Sequence, residues 1–95
     1  MRAAADDATA LLRALANPDR LMLLCQLSQG ERPVGELEAL LDIRQPTLSQ
    51  QLAVLRAQGL VDTRRDGRHI HYRVADARAL AVIDTLYRQF CEGIR

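Results

Sequence analysis

The chain has 95 residues, which fit one compact domain. Hydrophobic residues make up 48% and charged residues 26%, a balance typical of globular proteins and unlike that of a disordered chain. The net charge of +1 is unevenly spread, because residues 44–73 carry six arginines against two acidic residues, whereas residues 1–43 carry four against seven. A local basic segment of this kind is typical of small domains that bind nucleic acids.

Two features of the chain concern its location. No apolar run approaches the roughly 20 residues of a membrane-spanning helix. The first seven residues turn acidic where a signal peptide would be apolar. We therefore expect a cytoplasmic protein that forms a single domain over residues 1–95, with both cysteines reduced.

The first half of the chain predicts helices. Leucines at helical spacing indicate a first helix from about Ala3 to Ala16. Asn17 is a favoured N-cap and Pro18 a favoured first residue, so a second helix is expected from Pro18 to about Gln29, with Gly30 as its C-terminal cap. A short third helix over 34–41 follows.

The helix-turn-helix and the β-hairpin expected in the second half of the chain indicate DNA binding. The turn 42–45 leads to a helix that opens at Pro46 and ends at Gly59, with leucines on one face and polar residues on the other, which makes a helix-turn-helix. Segments 60–64 and 69–74 alternate as strands do, and Asp-Gly lies between them, so we predict a β-hairpin. Asp76 is expected to cap a last helix that reaches about Glu92 and carries a long apolar stripe ending at Ile94.

This layout predicts a mainly α-helical winged helix-turn-helix domain with a small β-hairpin wing, in the order α-α-α-α-β-β-α. An α-helix fits the major groove, and small polar side chains let it approach the base edges, while wing cations meet phosphates. The alternative is a polar surface helix beside solvated arginines. The predicted DNA-binding residues are Gln45, Thr47, Ser49, Gln50, Gln51, Arg64, Arg65, Arg68, His69 and His71.

Three motifs resemble one family. The strings LANPDRLMLL (15–24), QPTLSQQLAVL (45–55) and GLV…RRDGR…Y (59–72) resemble the opening, recognition helix and wing of the ArsR/SmtB winged-helix repressors. The resemblance covers nearly the whole chain, although Gln51 stands where many relatives carry His. It implies a homodimer built from the first and last helices that binds a palindromic operator and blocks transcription. A symmetric dimer would also cover the two apolar stripes that a small monomer leaves open and would place two recognition helices ~34 Å apart.

Members of this family commonly respond to metals, but the cysteine and histidine side chains that bind those metals are missing from the corresponding segments of this sequence. The segment 32–37 holds neither Cys nor His, and the last helix offers Asp84 and Glu92 without a His. His69 and His71 face one side of a strand without a partnering thiol or carboxylate, whereas zinc takes four ligands. We therefore expect no metal site and no cofactor.

The two cysteines, Cys25 in the second helix and Cys91 in the last, read by themselves as buried small hydrophobic residues. Their placement resembles the persulfide-responsive, SqrR/BigR-like branch of the family, in which such a pair is the sensor. The resemblance implies a di- or polysulfide bridge that releases operator DNA. Arg88 and Arg95 lie one turn from Cys91 and would lower its pKa, so Cys91 is the expected first attacker.

Alternatives remain open from the sequence. They are a general thiol-oxidation repressor that forms a plain disulfide with peroxide, a metal-responsive repressor, and a dimerisation module that does not bind DNA. An enzyme with Cys91 as nucleophile belongs to another class. It is disfavoured because both histidines lie in the predicted wing and no Gly-rich phosphate loop is present.

Overall fold

The computed structural model describes residues 1–92 and contains five helices and three strands in that range. The helices are α1 (Arg2–Leu15), α2 (Pro18–Ser28), α3 (Val34–Leu41), α4 (Thr47–Ala57) and α5 (Ala77–Phe90). The strands are β1 (Arg32–Pro33), β2 (Val61–Asp66) and β3 (His69–Val74). The predicted winged helix-turn-helix is confirmed. The predicted place of Ile94 in the last apolar stripe lies outside the described residues.

The sheet has one strand more than the predicted hairpin. Its order is β1-β3-β2, all antiparallel, with Arg32 opposite Tyr72 and Pro33 opposite His71. A two-residue strand is too short to show a period in the sequence, and Pro33 is tolerated there because β1 is an edge strand. The extra strand joins the start of α3 to the base of the wing.

The helix ends follow the predicted capping residues. The Asn17 side chain accepts a hydrogen bond from Arg20 N at 3.1 Å and so caps α2. The Asp76 carboxylate accepts from Arg78 N and Ala79 N at 2.8 and 3.0 Å and caps α5. The last helix ends at Phe90, two residues before the predicted Glu92.

The core is made almost wholly of aliphatic side chains. Leu48, Leu52 and Leu55 of α4 are buried, which confirms the predicted core face of that helix. They pack with leucines of α2 and α3 and with Ile83 of α5. Since these leucines anchor one side of α4, its polar side is held outwards.

The terminal helices contribute less to this core. In α1 only Ala14 and Leu15 are buried, and Leu12 is 60% exposed. Phe90 at the end of α5 is 72% exposed. None of the helices in residues 1–92 is both long and apolar enough to span a membrane.

Candidate DNA interface and dithiol site

The outer face of α4 carries the predicted base-reading residues. Thr47, Ser49 and Gln50 are exposed, because the buried leucines occupy the opposite face. The Gln45 Oε1 atom accepts hydrogen bonds from Ser49 N at 3.2 Å and from Ser49 Oγ at 2.7 Å. Gln45 therefore satisfies a free N–H group of the first turn and fixes the start of the helix.

Gln51 is placed differently from its neighbour Gln50. It is half-buried, and its Oε1 atom accepts a hydrogen bond from Arg20 Nη1 at 3.1 Å. The side chain is thus turned towards α2, with its carbonyl oxygen engaged by the protein.

The wing turn follows the Asp-Gly prediction, although β2 extends two residues further than expected. Gly67 and Arg68 form a two-residue connection, and Gly67 has φ of +63°. A glycine at the first central position with positive φ suits the right-handed twist of a hairpin. Arg68 consequently lies at the tip of the wing.

Two wing cations are tied to carboxylates. Arg64 Nη2 lies 2.5 Å from Glu31 Oε1, and its Nε atom donates to the same oxygen at 3.0 Å. This hydrogen bond holds the pKa of the Glu31 carboxyl below its usual range. Arg73 donates to Asp62 across the strands at 2.6 Å.

His71 belongs to the same cluster as Arg64. Its Nδ1 atom lies 3.8 Å from Glu31 Oε1, and its side chain is only 20% exposed. His69, the first residue of β3, is exposed. The two predicted wing histidines therefore have different surroundings, one at the carboxylate of Glu31 and one near the tip.

The remaining wing cations face solvent. Arg65 and Arg68 are exposed, and within residues 1–92 neither forms an ion pair. The sequence had presented the wing arginines as equivalent, whereas the fold divides them into a fixed pair at the base and a free pair near the tip.

The structure places the two cysteines on packed elements, since α2 bears Cys25 and packs against α5, which leads to Cys91. Cys25 on α2 is half-buried against the core, and Cys91, directly after α5, is exposed; both are free thiols. Burial raises the pKa of the Cys25 thiol, and the negative charge of a Cys91 thiolate raises that pKa further. Arg88, expected to act on Cys91, instead contacts Asp84 at 2.5 Å. Arg95 lies outside the described residues.

Within residues 1–92, no group of three or more His, Cys, Asp or Glu side chains is arranged to hold a metal ion. A groove of about 800 Å³ runs between α1 and the start of α5, with an apolar lining that includes Leu11, Leu60 and Val82 and with Asp7, Gln58, Asp76 and Arg78 also on its wall. This groove adds to the apolar surface of the terminal helices.

Known proteins are similar enough to this chain to show its family. The family model described as "Bacterial regulatory protein, arsR family" matches residues 17–63. The chain is 58% identical to the biofilm growth-associated repressor of Agrobacterium fabrum over 96% of its own length and 78% of that protein. The chain belongs to the arsR family of bacterial regulatory proteins. The prediction of a DNA-binding transcriptional repressor from this family is thereby confirmed.

Solved structures of this arsR-family protein's relatives agree. The crystal structure of the repressor BigR from Xylella fastidiosa matches with a TM-score of 0.88 and 49% identity, over 96% of this chain and 93% of that one. A homodimeric winged helix-turn-helix domain from Mycobacterium bovis matches with a TM-score of 0.77 and 33% identity, over 90% of this chain and 79% of that one. The similarity to the BigR-like branch is confirmed.

Two residues of the site were not predicted from the sequence. Arg20 lies within the motif 15–24 that carried the resemblance, yet only the fold shows that it reaches the recognition helix. Glu31 follows the Gly30 turn and gave no signal at all, because its partners Arg64 and His71 are distant in the chain.

Proposed function

We propose that this repressor is a homodimer that binds palindromic duplex DNA and is released when reactive sulfur bridges Cys25 and Cys91. The observation that carries this proposal is the packing of α2, which bears Cys25, against α5, which leads directly to Cys91. Two thiols far apart in the chain thus lie on packed helices, and the charge of a Cys91 thiolate also raises the pKa of Cys25. The exposure of Cys91 supplies the access that a soluble sulfur donor needs.

The proposed DNA surface has three parts. Thr47 and Gln50 face the base edges, and the Gln45–Ser49 pair fixes the first turn of the recognition helix. Arg65, Arg68 and His69 lie near the wing tip and meet phosphates or the minor groove. Arg64 and His71 are held by Glu31 and support the wing from its base, from where they contact DNA less strongly.

This division of the wing cations is tested by the salt dependence of binding. Arg65→Ala is expected to reduce the slope of log affinity against log salt by about one, because one phosphate contact is lost. Arg64→Ala, the matched control on the same strand, is expected to change the slope much less, because its guanidinium is already neutralised by Glu31. The duplex used is one selected by the reduced protein from a randomised pool.

A binding curve insensitive to salt, or failure of the protein to select any duplex, would contradict the DNA-binding proposal. Equal slope changes for both variants would instead contradict only the division between fixed and free arginines.

The dimer is proposed to form through α1 and α5. Leu12 and Phe90 are exposed, and most of the residues that line the groove between the two helices are apolar. A second copy related by two-fold symmetry covers both stripes at once, since a symmetric interface uses the same patch on each subunit. The homodimeric relative from Mycobacterium bovis supports this arrangement.

The sulfur chemistry balances without any other oxidant. A Cys91 thiolate attacks the outer sulfur of an organic persulfide, RSSH, becomes a persulfide and expels RS⁻. The Cys25 thiolate then attacks the inner sulfur of that group, expels HS⁻ and closes a disulfide, so that two thiols and RSSH give the bridge, RSH and hydrogen sulfide. If Cys25 first takes the outer sulfur of a second RSSH and expels a second RS⁻, its persulfide attacks the inner sulfur of the Cys91 persulfide, expels HS⁻ and closes a trisulfide.

The two thiols take different roles in this scheme. Cys25 is half-buried and its pKa is raised, so little of it is thiolate near neutral pH, and it suits the second, intramolecular step. Cys91 is exposed and meets the donor first.

The pH dependence of alkylation tests whether the thiols are neighbours. In Cys91→Ser, the reactivity of Cys25 with iodoacetamide is expected to rise at a lower pH than in the wild type, because the charge of Cys91 no longer raises the Cys25 pKa. Burial still keeps that pKa above its ordinary value. Peptide mass mapping after brief exposure measures the reaction at Cys25 alone, and identical pH profiles in the two proteins would show that the thiols do not interact.

The bridge is coupled to DNA through helix packing. It ties α2, which packs on the recognition helix through the core, to the end of the proposed dimer helix α5. If the bridged packing changes the spacing of the two recognition helices, affinity falls. A tenfold loss requires only about 1.4 kcal/mol.

A general thiol-oxidation repressor is the second candidate, favoured by the same exposure of Cys91. Peroxide oxidises an exposed thiolate to a sulfenic acid, and the second thiol then displaces water to form a disulfide. The two candidates differ in their products, because only the persulfide reaction releases hydrogen sulfide and can leave extra sulfur in the bridge, whereas peroxide gives a plain disulfide and water.

A further inference from the structure

One guanidinium, that of Arg20, joins three helices. Its backbone lies in the first turn of α2. Its Nε atom donates to Ala14 O at 2.8 Å and its Nη2 atom to Arg13 O at 3.2 Å, both at the C-terminal end of α1. Its Nη1 atom donates to Gln51 Oε1 on α4 at 3.1 Å.

The contacts on α1 engage carbonyl groups of its last turn, of which Arg13 O also accepts a hydrogen bond from Ala16 N at 3.3 Å. The last carbonyls of a helix have no partner within the helix, and a cation beside them also opposes the negative end of the helix dipole. Arg20 meets two of these carbonyls of α1 with one planar group and still has an N–H for Gln51. Lysine has one nitrogen and cannot reproduce three contacts in these directions.

We propose that Arg20 is a positioning residue that connects the end of α1 to the recognition helix through Gln51, and that Gln51 orients this helix instead of reading a base. The inference rests on the proposed DNA-binding function. It assigns Gln51 a role different from that of Gln50, although the two residues are adjacent and chemically identical. Gln50 is exposed, whereas Gln51 is half-buried with its carbonyl oxygen bound.

The connection made by Arg20 also involves a helix that is proposed to form the dimer. α1 is one of the two helices proposed to form the interface, and Arg20 grips its C-terminal end. The orientation of the recognition helix therefore depends on a proposed interface helix as well as on the core leucines. Arg20 thus gives α1 a polar connection to α4 beside the core that the two helices share.

The experiment compares Gln51→Met with Gln50→Met, since methionine keeps the length of glutamine and removes its hydrogen bonds. The affinity of each variant is measured for the duplex selected by the wild type, for its single-base variants and for a scrambled duplex. Gln51→Met is expected to weaken binding to the selected duplex about tenfold, leave the order of preference among base variants unchanged and leave scrambled DNA unaffected. Gln50→Met is expected to change the preferred base at one position of each half-site.

A double-mutant cycle tests the link itself. Arg20→Lys is expected to weaken selective binding by a similar factor, and the Arg20→Lys/Gln51→Met pair to be little weaker than either single variant, because both remove one connection. The Arg20→Lys/Gln50→Met pair is expected to be additive. Thermal unfolding and the affinity for scrambled DNA show whether each variant is folded, since loss of fold would lower both.

Three results would overturn the inference: a changed base preference in Gln51→Met, additivity of Arg20→Lys with Gln51→Met, or unchanged selective binding in both single variants. A wild-type protein that does not distinguish the selected duplex from the scrambled one would overturn the proposed DNA-binding function together with this inference. The two failures are therefore distinguishable.

Discussion

Treatment of the reduced protein with an organic persulfide is expected to release the selected duplex, whereas Cys25→Ser and Cys91→Ser remain bound. The wild type can close a bridge between α2 and the end of α5, but each variant retains only one thiol and stops at a persulfide or an unreacted state. The response should therefore be lost almost completely in either variant. DNA binding in a mobility-shift assay, with and without the persulfide, measures it.

The reduced variants serve as their own controls, because both should bind the duplex as tightly as the wild type before treatment. Intact-mass measurement identifies the bridge: each retained sulfur adds the mass of one sulfur atom, whereas peroxide leaves a plain disulfide. Release of DNA by persulfide from both serine variants would defeat the dithiol proposal. Equal release by peroxide, with no added sulfur under either reagent, would favour the general thiol-oxidation repressor.

Leu12→Gln and Phe90→Gln are expected to convert the dimer to monomer at micromolar concentration. Both side chains are largely exposed in the single chain, so the substitutions cost the fold itself little. In the dimer each is buried twice by symmetry, and burying a large apolar side chain is worth about 1.5–3 kcal/mol. The dimer dissociation constant should rise on the order of a hundredfold or more.

Affinity for the palindromic duplex should fall with the dimer, because two linked half-site contacts become independent; avidity of this kind is worth on the order of a hundredfold or more. Sedimentation velocity reports the oligomeric state. Leu40→Gln on α3 is the matched control, since Leu40 is 52% exposed but lies outside α1 and α5. A dimer that persists in both terminal-helix variants, or that is lost equally in Leu40→Gln, would show that the interface lies elsewhere.

Much of the fold could be read from local patterns. Asn17 and Asp76 begin helices where a short polar side chain can accept from free N–H groups, and the leucines of α4 repeat at the helical period. Asp66 and Gly67 marked the hairpin because glycine accepts the positive φ that a tight connection requires. These features depend on neighbours within a few residues, so one sequence is enough to show them.

Contacts between segments that are distant in the chain could not be predicted from these local patterns. β1 is too short to show a strand period and exists because β3 passes beside it. Arg64 and Arg65 are identical neighbours in the sequence, yet only Arg64 reaches Glu31. Arg88 lies one turn before Cys91 in the sequence, and only the fold shows that its guanidinium forms an ion pair with Asp84.

The sequence by itself therefore determined the winged helix-turn-helix, its recognition helix and the pair of cysteines worth examining, because hydrophobic period, capping and turn chemistry are encoded over a few residues. Only the tertiary structure decided that Gln51 faces Arg20 while Gln50 faces outwards, and that Cys25 lies within the field of Cys91. Hydrogen bonds and charge interactions depend on distances of a few ångströms between side chains. Those distances are set by how the helices pack.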